Sequence, residues 1–340
     1  MSVSQTTPSL VLAPMDGVTD YLMREMLTEL MPFTHCVTEF VRVSAASPPA
    51  KTFLGDAPEL KTASKTSSGT PVHIQILGGI PEAMAQSAAL AVSLGAQAVD
   101  INFGCPAPTV NRHDGGATLL KFPERIEAIV RAVRNSVPQE LPVSAKLRLG
   151  WDDPTAIHHN AERAARGGAS WITIHGRTKF QGYTPPAYWK PIGEVKRALD
   201  IPVIANGEIW ELDDLKRCQD ESQCQHFMLG RGVLANPQLV AECAKYLGLS
   251  ITEPLQESET PRSVIPHGVD KGDWAPLIKD LVQRSVTRGE SERRTLSRCK
   301  QWLQYAHKRG SIHWFDSVKR TTTIQEFLSA LSIVDGELAP

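Results

Sequence analysis

The sequence predicts an α/β fold, a (β/α)8 TIM barrel followed by a small C-terminal α-helical domain. Three observations carry this. Eight short apolar runs alternate with amphipathic helical patterns over about 240 residues, the signature of parallel βαβ units. The chain has 340 residues, enough for one large α/β body and a smaller unit. Helical spacing returns near the C-terminus after a Pro- and Gly-bearing stretch at 252–275.

The predicted strands are Leu10–Ala13, Cys36–Phe40, Val72–Leu77, Ala98–Asn102, Val143–Leu147, Trp171–His175, Val203–Ala205 and His226–Leu229. Each is short and mostly apolar, as expected for strands buried on both faces. Between them, Pro81–Leu94, Pro123–Val137, Thr155–Arg166, Pro191–Ala198 and Glu211–Cys218 read as helices. The first β-to-α steps are the least regular, with a long loop through Ser44–Gly69. In Leu296–His307, Leu296, Cys299, Leu303 and Ala306 recur at helical spacing, with Arg298 and Lys300 mostly on other faces. The expected division is 1–250 for the barrel, 251–275 for a linker or excursion, and 276–340 for the helical part.

Composition narrows the setting. The six cysteines form no C-x-x-C pair, so neither a structural zinc site, or any other metal, nor a disulfide framework is suggested, and a cytoplasmic location is expected. No apolar run approaches the ~20 residues of a membrane span, and Met1–Ser9 lacks the pattern of a signal peptide. The net charge of −1 hides an asymmetry: residues 279–320 hold 11 Lys/Arg against 4 Asp/Glu. A basic block on a slightly acidic body points to an anionic partner, or to a solvated helix face.

The strand ends carry the candidate chemistry, because parallel barrels keep their reacting groups there. Pro14-Met15-Asp16 follows strand 1, Glu39 ends strand 2, Gln75 lies in strand 3, and Asn102 and Cys105 follow strand 4. Cys105 stands between Gly104 and Pro106, a thiol on a stiff loop. Lys146 faces inward by alternation in strand 5, and His175 closes strand 6. Asn206-Gly207-Glu208 and Gly230-Arg231 follow strands 7 and 8, the usual place for a phosphate in such barrels. An amide at Gln75 can meet the pyrimidine edge of a flavin with both a donor and an acceptor. Lys146 can stabilise negative charge on a reduced ring.

Together these motifs resemble the tRNA-dihydrouridine synthases. The likeness runs through Ala-Pro-Met15, Thr38-Glu39-Phe40, Gln75, Asn102-x-Gly-Cys-Pro106, Lys146-Leu-Arg-Leu-Gly150, His175-Gly-Arg-Thr178, Asn206-Gly-Glu208 and Gly230-Arg231, in order, over about residues 10–240. It implies an FMN-binding barrel that reduces uridine in tRNA with NADPH (or NADH). It places FMN against Pro14, Met15, Asp16, Gln75, Lys146, His175, Asn206, Gly207, Glu208, Gly230 and Arg231, and it makes Cys105 the catalytic acid. Glu39, Asn102 and Tyr183 become substrate-side contacts. Arg298-x-Lys300-Gln-Trp-Leu-x-Tyr305 resembles the C-type bacterial enzymes, which act on uridine 16 of the D-loop. Arg298, Lys300, Tyr305, Lys319 and Arg320 are then the tRNA contacts of the C-terminal part. Phe103, where a smaller or sulfur-bearing residue is common, and the long excursion at 252–275 depart from the family pattern.

The implied reaction sends hydride from flavin N5 to uracil C6 and a proton from Cys105 to C5. A thiol with a reference pKa of ~8.5 is mostly protonated at neutral pH, as a general acid must be. No G-x-G-x-x-G fingerprint in a βαβ context accompanies this pattern, so the reductant follows from the resemblance alone. Two rival readings are an FMN barrel acting on a small molecule, in the manner of dihydroorotate dehydrogenases, and a tRNA-binding module.

Overall fold

The computed structural model describes residues 3–4, 6–249 and 274–338, with side chains described through residue 334. Among these, nine parallel strands form one sheet: β1 Ser9–Leu12, β2 His35–Val37, β3 Val41–Arg42, β4 Val72–Leu77, β5 Val99–Asn102, β6 Val143–Arg148, β7 Trp171–His175, β8 Val203–Asn206 and β9 His226–Leu229. The order β2-β1-β9-β8-β7-β6-β5-β4 closes through a β2–β4 pairing, so the sheet is a barrel.

Strands β2 and β3 are one barrel strand interrupted once. Val37 pairs with His73 and Val41 with Ile76, so four steps on one strand face three on the other. The extra residue falls at Thr38–Phe40, a bulge of the kind that re-aims a side chain beside a site. Thr38 anchors it: its N–H donates to the His73 carbonyl at 3.0 Å, and its Oγ1 accepts from the Gln75 N–H at 2.9 Å. The sequence predicts one continuous strand over Cys36–Phe40; apolar periodicity does not register a single inserted residue.

The long loop at Ser44–Gly69 is more ordered than the sequence suggests. It holds a helix, Ala50–Asp56, and a 3-10 turn, Pro58–Thr62. The crossover helices fall close to their predicted ranges: Pro81–Ser93, Pro123–Ser136, Ala156–Arg166, Lys190–Ala198 and Leu212–Ser222. Proline at the first position opens two of them, where its missing N–H costs nothing. Glu211 and Asp214 form a capping box at the start of Leu212–Ser222. Beyond β9, short helices at Arg231–Ala235 and Leu239–Tyr246 complete the barrel.

The C-terminal helices are Trp274–Thr287, Glu292–Lys308, Phe315–Val318 and Ile324–Leu338. Trp274 and Ala275, expected within the excursion, instead open a helix; the rest of that stretch lies outside the described residues. These helices pack on the barrel through buried Trp302, whose indole N–H donates to the Leu234 carbonyl at 3.0 Å. Helix Glu292–Lys308 is thereby seated beside the end of β9, at the mouth.

Candidate active site

The C-terminal strand ends surround a cavity of about 710 Å³, within the ordinary range for cofactor sites. All eleven residues expected to hold a flavin line it, from Pro14 through Arg231, and so do Cys105, Glu39, Asn102, Tyr183 and Tyr305. The eight separate strand ends therefore converge on one space.

One wall is a chain of buried hydrogen bonds. Ser144 Oγ donates to Asp100 at 2.5 Å, Gln75 Nε2 donates to the other Asp100 oxygen at 2.7 Å, and Asn102 Nδ2 donates to Gln75 Oε1 at 2.8 Å. Burial pushes the Asp100 carboxyl up from its ordinary value. The chain ends at Asn102 Oδ1, which accepts from the N–H groups of Gly104 and Cys105, each at 2.9 Å. Asn102 thus shapes the thiol loop, and its oxygen is committed there rather than to a substrate. Gln75 likewise spends one amide hydrogen on Asp100, while its side chain lines the cavity.

The Cys105 loop is held from other sides as well. Arg148 Nε donates to the Gly104 carbonyl at 2.7 Å, and the Cys105 carbonyl accepts from Ala117 N–H at 3.1 Å and Asn111 Nδ2 at 3.2 Å. Gly116 sits at φ +58°, and a Cβ there would lie 2.9 Å from the Cys105 carbonyl oxygen, so only glycine permits this approach. Cys105 is the one partly exposed cysteine of six free ones. Burial, with Asp16 nearby, raises its thiol pKa, so the sulfur stays protonated near neutrality.

The adjoining wall, from β6 onward, is cationic. Lys146 Nζ donates to Asn206 Oδ1 at 3.1 Å, while Asn206 Nδ2 donates to the Met228 carbonyl at 2.8 Å. Burial, with Arg148 beside it, brings the Lys146 ammonium down to about 8. His175 is buried among Arg148, Lys146, Arg177 and Arg231, and its pKa falls well below the ordinary value, so it stands as a neutral imidazole. Gly207 has φ +110°, and a Cβ there would meet His175 Cδ2 at 2.6 Å. Glu208 also holds a left-handed backbone, φ +59°. Its carboxylate pairs with Arg177, lies 3.5 Å from Arg309, and accepts from Trp210 Nε1 at 2.9 Å.

Glu39 projects from the bulge and accepts the Val18 N–H at 3.0 Å. Burial, then the carboxylates of Asp20 and Asp16, push it up to about 7.

The C-terminal contacts divide. Tyr305 lines the cavity; Arg298, Lys300, Lys319 and Arg320 do not. Arg298 is buried, and its guanidinium is taken by Glu290 at 2.8 Å, Ser285 at 3.1 Å and Asp20, the cap of barrel helix Tyr21–Leu30. It is a clasp between the C-terminal helices and the barrel, not a free cation for RNA phosphate. Lys300 donates to the Thr321 carbonyl, and Lys319 pairs with Asp316 at 2.5 Å, whereas Arg320 is exposed. Trp210 and Lys308 also line the cavity, with Arg309 beside them, and no motif in the sequence points to them. Their signal was faint: Trp210 follows the Asn-Gly-Glu turn by two residues, and Lys308-Arg309 is a basic pair at a helix end, which also favours the helix dipole.

Comparison with known proteins agrees with this geometry. The family model described as dihydrouridine synthase matches residues 11–308. The chain is 44% identical to the tRNA-dihydrouridine(16) synthase of Shewanella oneidensis over 298 residues, covering 88% of each chain. It is 43% identical to that of Aquipseudomonas alcaligenes, covering 86% of this chain and 89% of the relative. It is 40% identical to that of Escherichia coli K12 over 334 residues, covering 96% and 98%. The cavity that the eight strand ends build is accordingly that of a flavin enzyme, and the chain belongs to the dihydrouridine synthase family.

Proposed function

We propose that this protein reduces uridine 16 in the D-loop of tRNA to 5,6-dihydrouridine, using FMN bound in the barrel mouth and NADPH as the reductant. One observation carries the reading furthest: a protonated thiol on a loop fixed from three sides shares one cavity with a buried lysine and the loops after β8 and β9. The names of the relatives support position 16. Family membership removes the small-molecule and pure binding readings.

The residues fit an FMN. Gly207 leaves room where any side chain would strike His175, and Arg231 and the surplus of guanidiniums over carboxylates near Glu208 suit a phosphate. Bound there, the reduced flavin supplies hydride for C6 of the uracil. Lys146, still largely protonated at neutral pH, places positive charge at the centre of the mouth, where negative charge must be balanced. Cys105 gives its proton to C5 as charge accumulates on C5 and O4, so that hydride and proton together saturate the C5=C6 bond. Its raised pKa keeps the proton available until that moment. Asn102 and Arg148 hold the sulfur's loop still while the base enters. The target base must leave its stack to reach this depth.

The test is reduction of an unmodified tRNA transcript by the purified, FMN-loaded protein with NADPH, followed by mapping of dihydrouridine. Modification at position 16 is expected. Modification elsewhere corrects the position, and none at all overturns the reading. Deletion of the C-terminal helices is not a clean alternative, because Tyr305 and Lys308 form part of the cavity wall.

A further inference from the structure

We infer that the rim of the mouth carries a stacking platform for unpaired nucleobases of the RNA, built from Trp151, Phe180, Lys121 and Lys179. The inference rests on the RNA-reducing function proposed above. Phe180 is 81% exposed. A single exposed apolar residue is ordinary, but this one is held out by a braced loop. The Thr178 N–H donates to Gln181 Oε1 at 2.9 Å, the Gly182 N–H to the Lys179 carbonyl at 3.0 Å, and Arg148 Nη1 to the Gly182 carbonyl at 2.8 Å. The loop is also joined to its neighbour after β6: Phe180 N–H donates to the Trp151 carbonyl and Lys179 N–H to the Gly150 carbonyl, both at 2.8 Å. A flexible loop would let the phenyl ring fold down; this one keeps it presented.

The surroundings decide what it is presented to. The ammonium groups of Lys121 and Lys179 lie 3.9 and 4.2 Å from the Trp151 ring centroid. Inward along the same loop, Tyr183 has Arg148 at 5.2 Å and Arg231 at 4.8 Å; on the loop after β8, Trp210 has Arg231 at 5.1 Å and Arg309 at 3.5 Å. Aromatic faces thus alternate with cations from the cavity wall out to the rim. Grooves for single-stranded nucleic acid have this composition, with faces for bases and cations for the phosphates between them. The exposed Phe180 ring itself carries no cation among the described residues and is open to a base, while the cations on the neighbouring rings suit the phosphates of a polyanion. The series also leads into the cavity that receives a base. Phe180 is therefore placed to stack a nucleotide flanking the target uridine, with Trp151 holding Lys121 and Lys179 beside it for the phosphates.

The experiment measures tRNA affinity of the FMN-loaded protein for wild type, F180A, F180W and the K121A/K179A pair, with salt dependence and the KM–kcat split for dihydrouridine formation. NADPH-driven flavin reduction without tRNA serves as the check on folding. Loss of a stacked base predicts about tenfold weaker tRNA binding for F180A. KM should rise, flavin reduction should not change, and F180W should restore binding. The F180A defect should leave the salt slope intact, while K121A/K179A should flatten it by about one per phosphate lost. Unchanged affinity in F180A, or a defect that F180W does not repair, overturns the platform. If wild type binds and modifies tRNA yet F180A matches it, the platform alone fails. If wild type neither binds nor modifies tRNA, the proposed function fails and the platform falls with it.

Discussion

At the starts of the strands, His35 and His73 stack with ring centroids 4.2 Å apart against Trp171, with His226 nearby; at the C-terminal ends of the barrel strands, Lys146, Arg148 and Arg231 line an open cavity, with Arg177 buried beside them. Both regions bury titratable groups inside one barrel, and both shift their pKa values strongly. At the floor, burial drives His35 to about 3 and His226 to about 4, and both ring nitrogens of His73 lack a hydrogen-bond partner. The rings stay neutral and fill space against Trp171, itself part of an apolar cluster with Val11, Val37 and Ile204. At the mouth, charge is kept, and carboxylates compensate it only in part. The Arg177 guanidinium is lowered to about 10 by burial and by the neighbouring arginines Arg231 and Arg148. Displaced pKa values alone therefore do not mark a site. What marks the mouth is surplus charge, access and a protonated thiol in one place.

The largest expected effect breaks the mouth's chemistry and leaves its electrostatics alone. Cys105→Ala should retain FMN and its reduction by NADPH, yet lose roughly 10²–10⁴-fold in dihydrouridine formation, the range for a missing general acid. Single-turnover measurement with pre-reduced enzyme isolates this step. A rate within a few-fold of wild type would show that solvent supplies the proton.

Next in size is the seam that fixes the C-terminal helices to the mouth. Arg298→Ala leaves Glu290 and Asp20 to Arg294 alone, 3.6 Å from each, and loss of the closer charged hydrogen bonds costs about 2 kcal/mol. Urea unfolding should show that loss. Intact stability with weakened tRNA binding would instead return Arg298 to the RNA contact suggested by its sequence.

That residue shows where sequence reading reached and where it stopped. The strand ends were legible because period, length and turn residues determine which residues finish a parallel strand, and barrels bring those ends together. Cys105, Lys146 and the Gly207 and Gly230 turns followed from that alone. The ion pairing of Arg298 is not legible, because a helix pattern shows that a residue leaves the apolar stripe, not whether an acidic partner from residue 20 waits there. Asn102 was placed at the site but in another task, since a turn around its own side chain is a matter of geometry. The bulge at Thr38–Phe40 was invisible to periodicity, and the Trp210–Arg309 contact joins residues about a hundred positions apart. The floor histidines are not legible either, because an isolated histidine in an apolar strand carries no pattern.

The floor makes the next prediction. Each buried histidine has a folded pKa below its unfolded 6.5, so the unfolded state binds protons first as pH falls. Stability should be full above about pH 6.5 and decline toward pH 4 and 3, by up to roughly 1.4 kcal/mol per pH unit for each titrating ring. His73→Leu should flatten that decline. An unchanged acid slope in the variant would assign the acid sensitivity to ion-paired carboxylates such as Asp114, which its hydrogen bond from Arg125 holds below the ordinary value, and not to the floor.

The smallest effect tests whether the surplus charge at the mouth has a chemical purpose. Near the turns after β8 and β9, Glu208 is one carboxylate facing Arg177 and Arg309, with Arg231 stacked on Trp210. If the remaining positive charge serves the phosphate of FMN, Arg309→Ala should weaken FMN about fivefold, near 1 kcal/mol, because Arg309 is 42% exposed and partly screened by water. Riboflavin, which lacks the phosphate, should bind the variant as it binds wild type. Glu208→Gln should shift FMN affinity the other way, unless loss of its pairing with Arg177 disorders the turn, which riboflavin binding would report. Fluorescence titration of both flavins separates these outcomes. An equal loss for both would mean that Arg309 acts by seating helix Glu292–Lys308 against Trp210, a packing role like that of the floor. A loss confined to FMN would make the C-terminal helices part of the cofactor's electrostatic cradle, so that tRNA docking and flavin retention share one element.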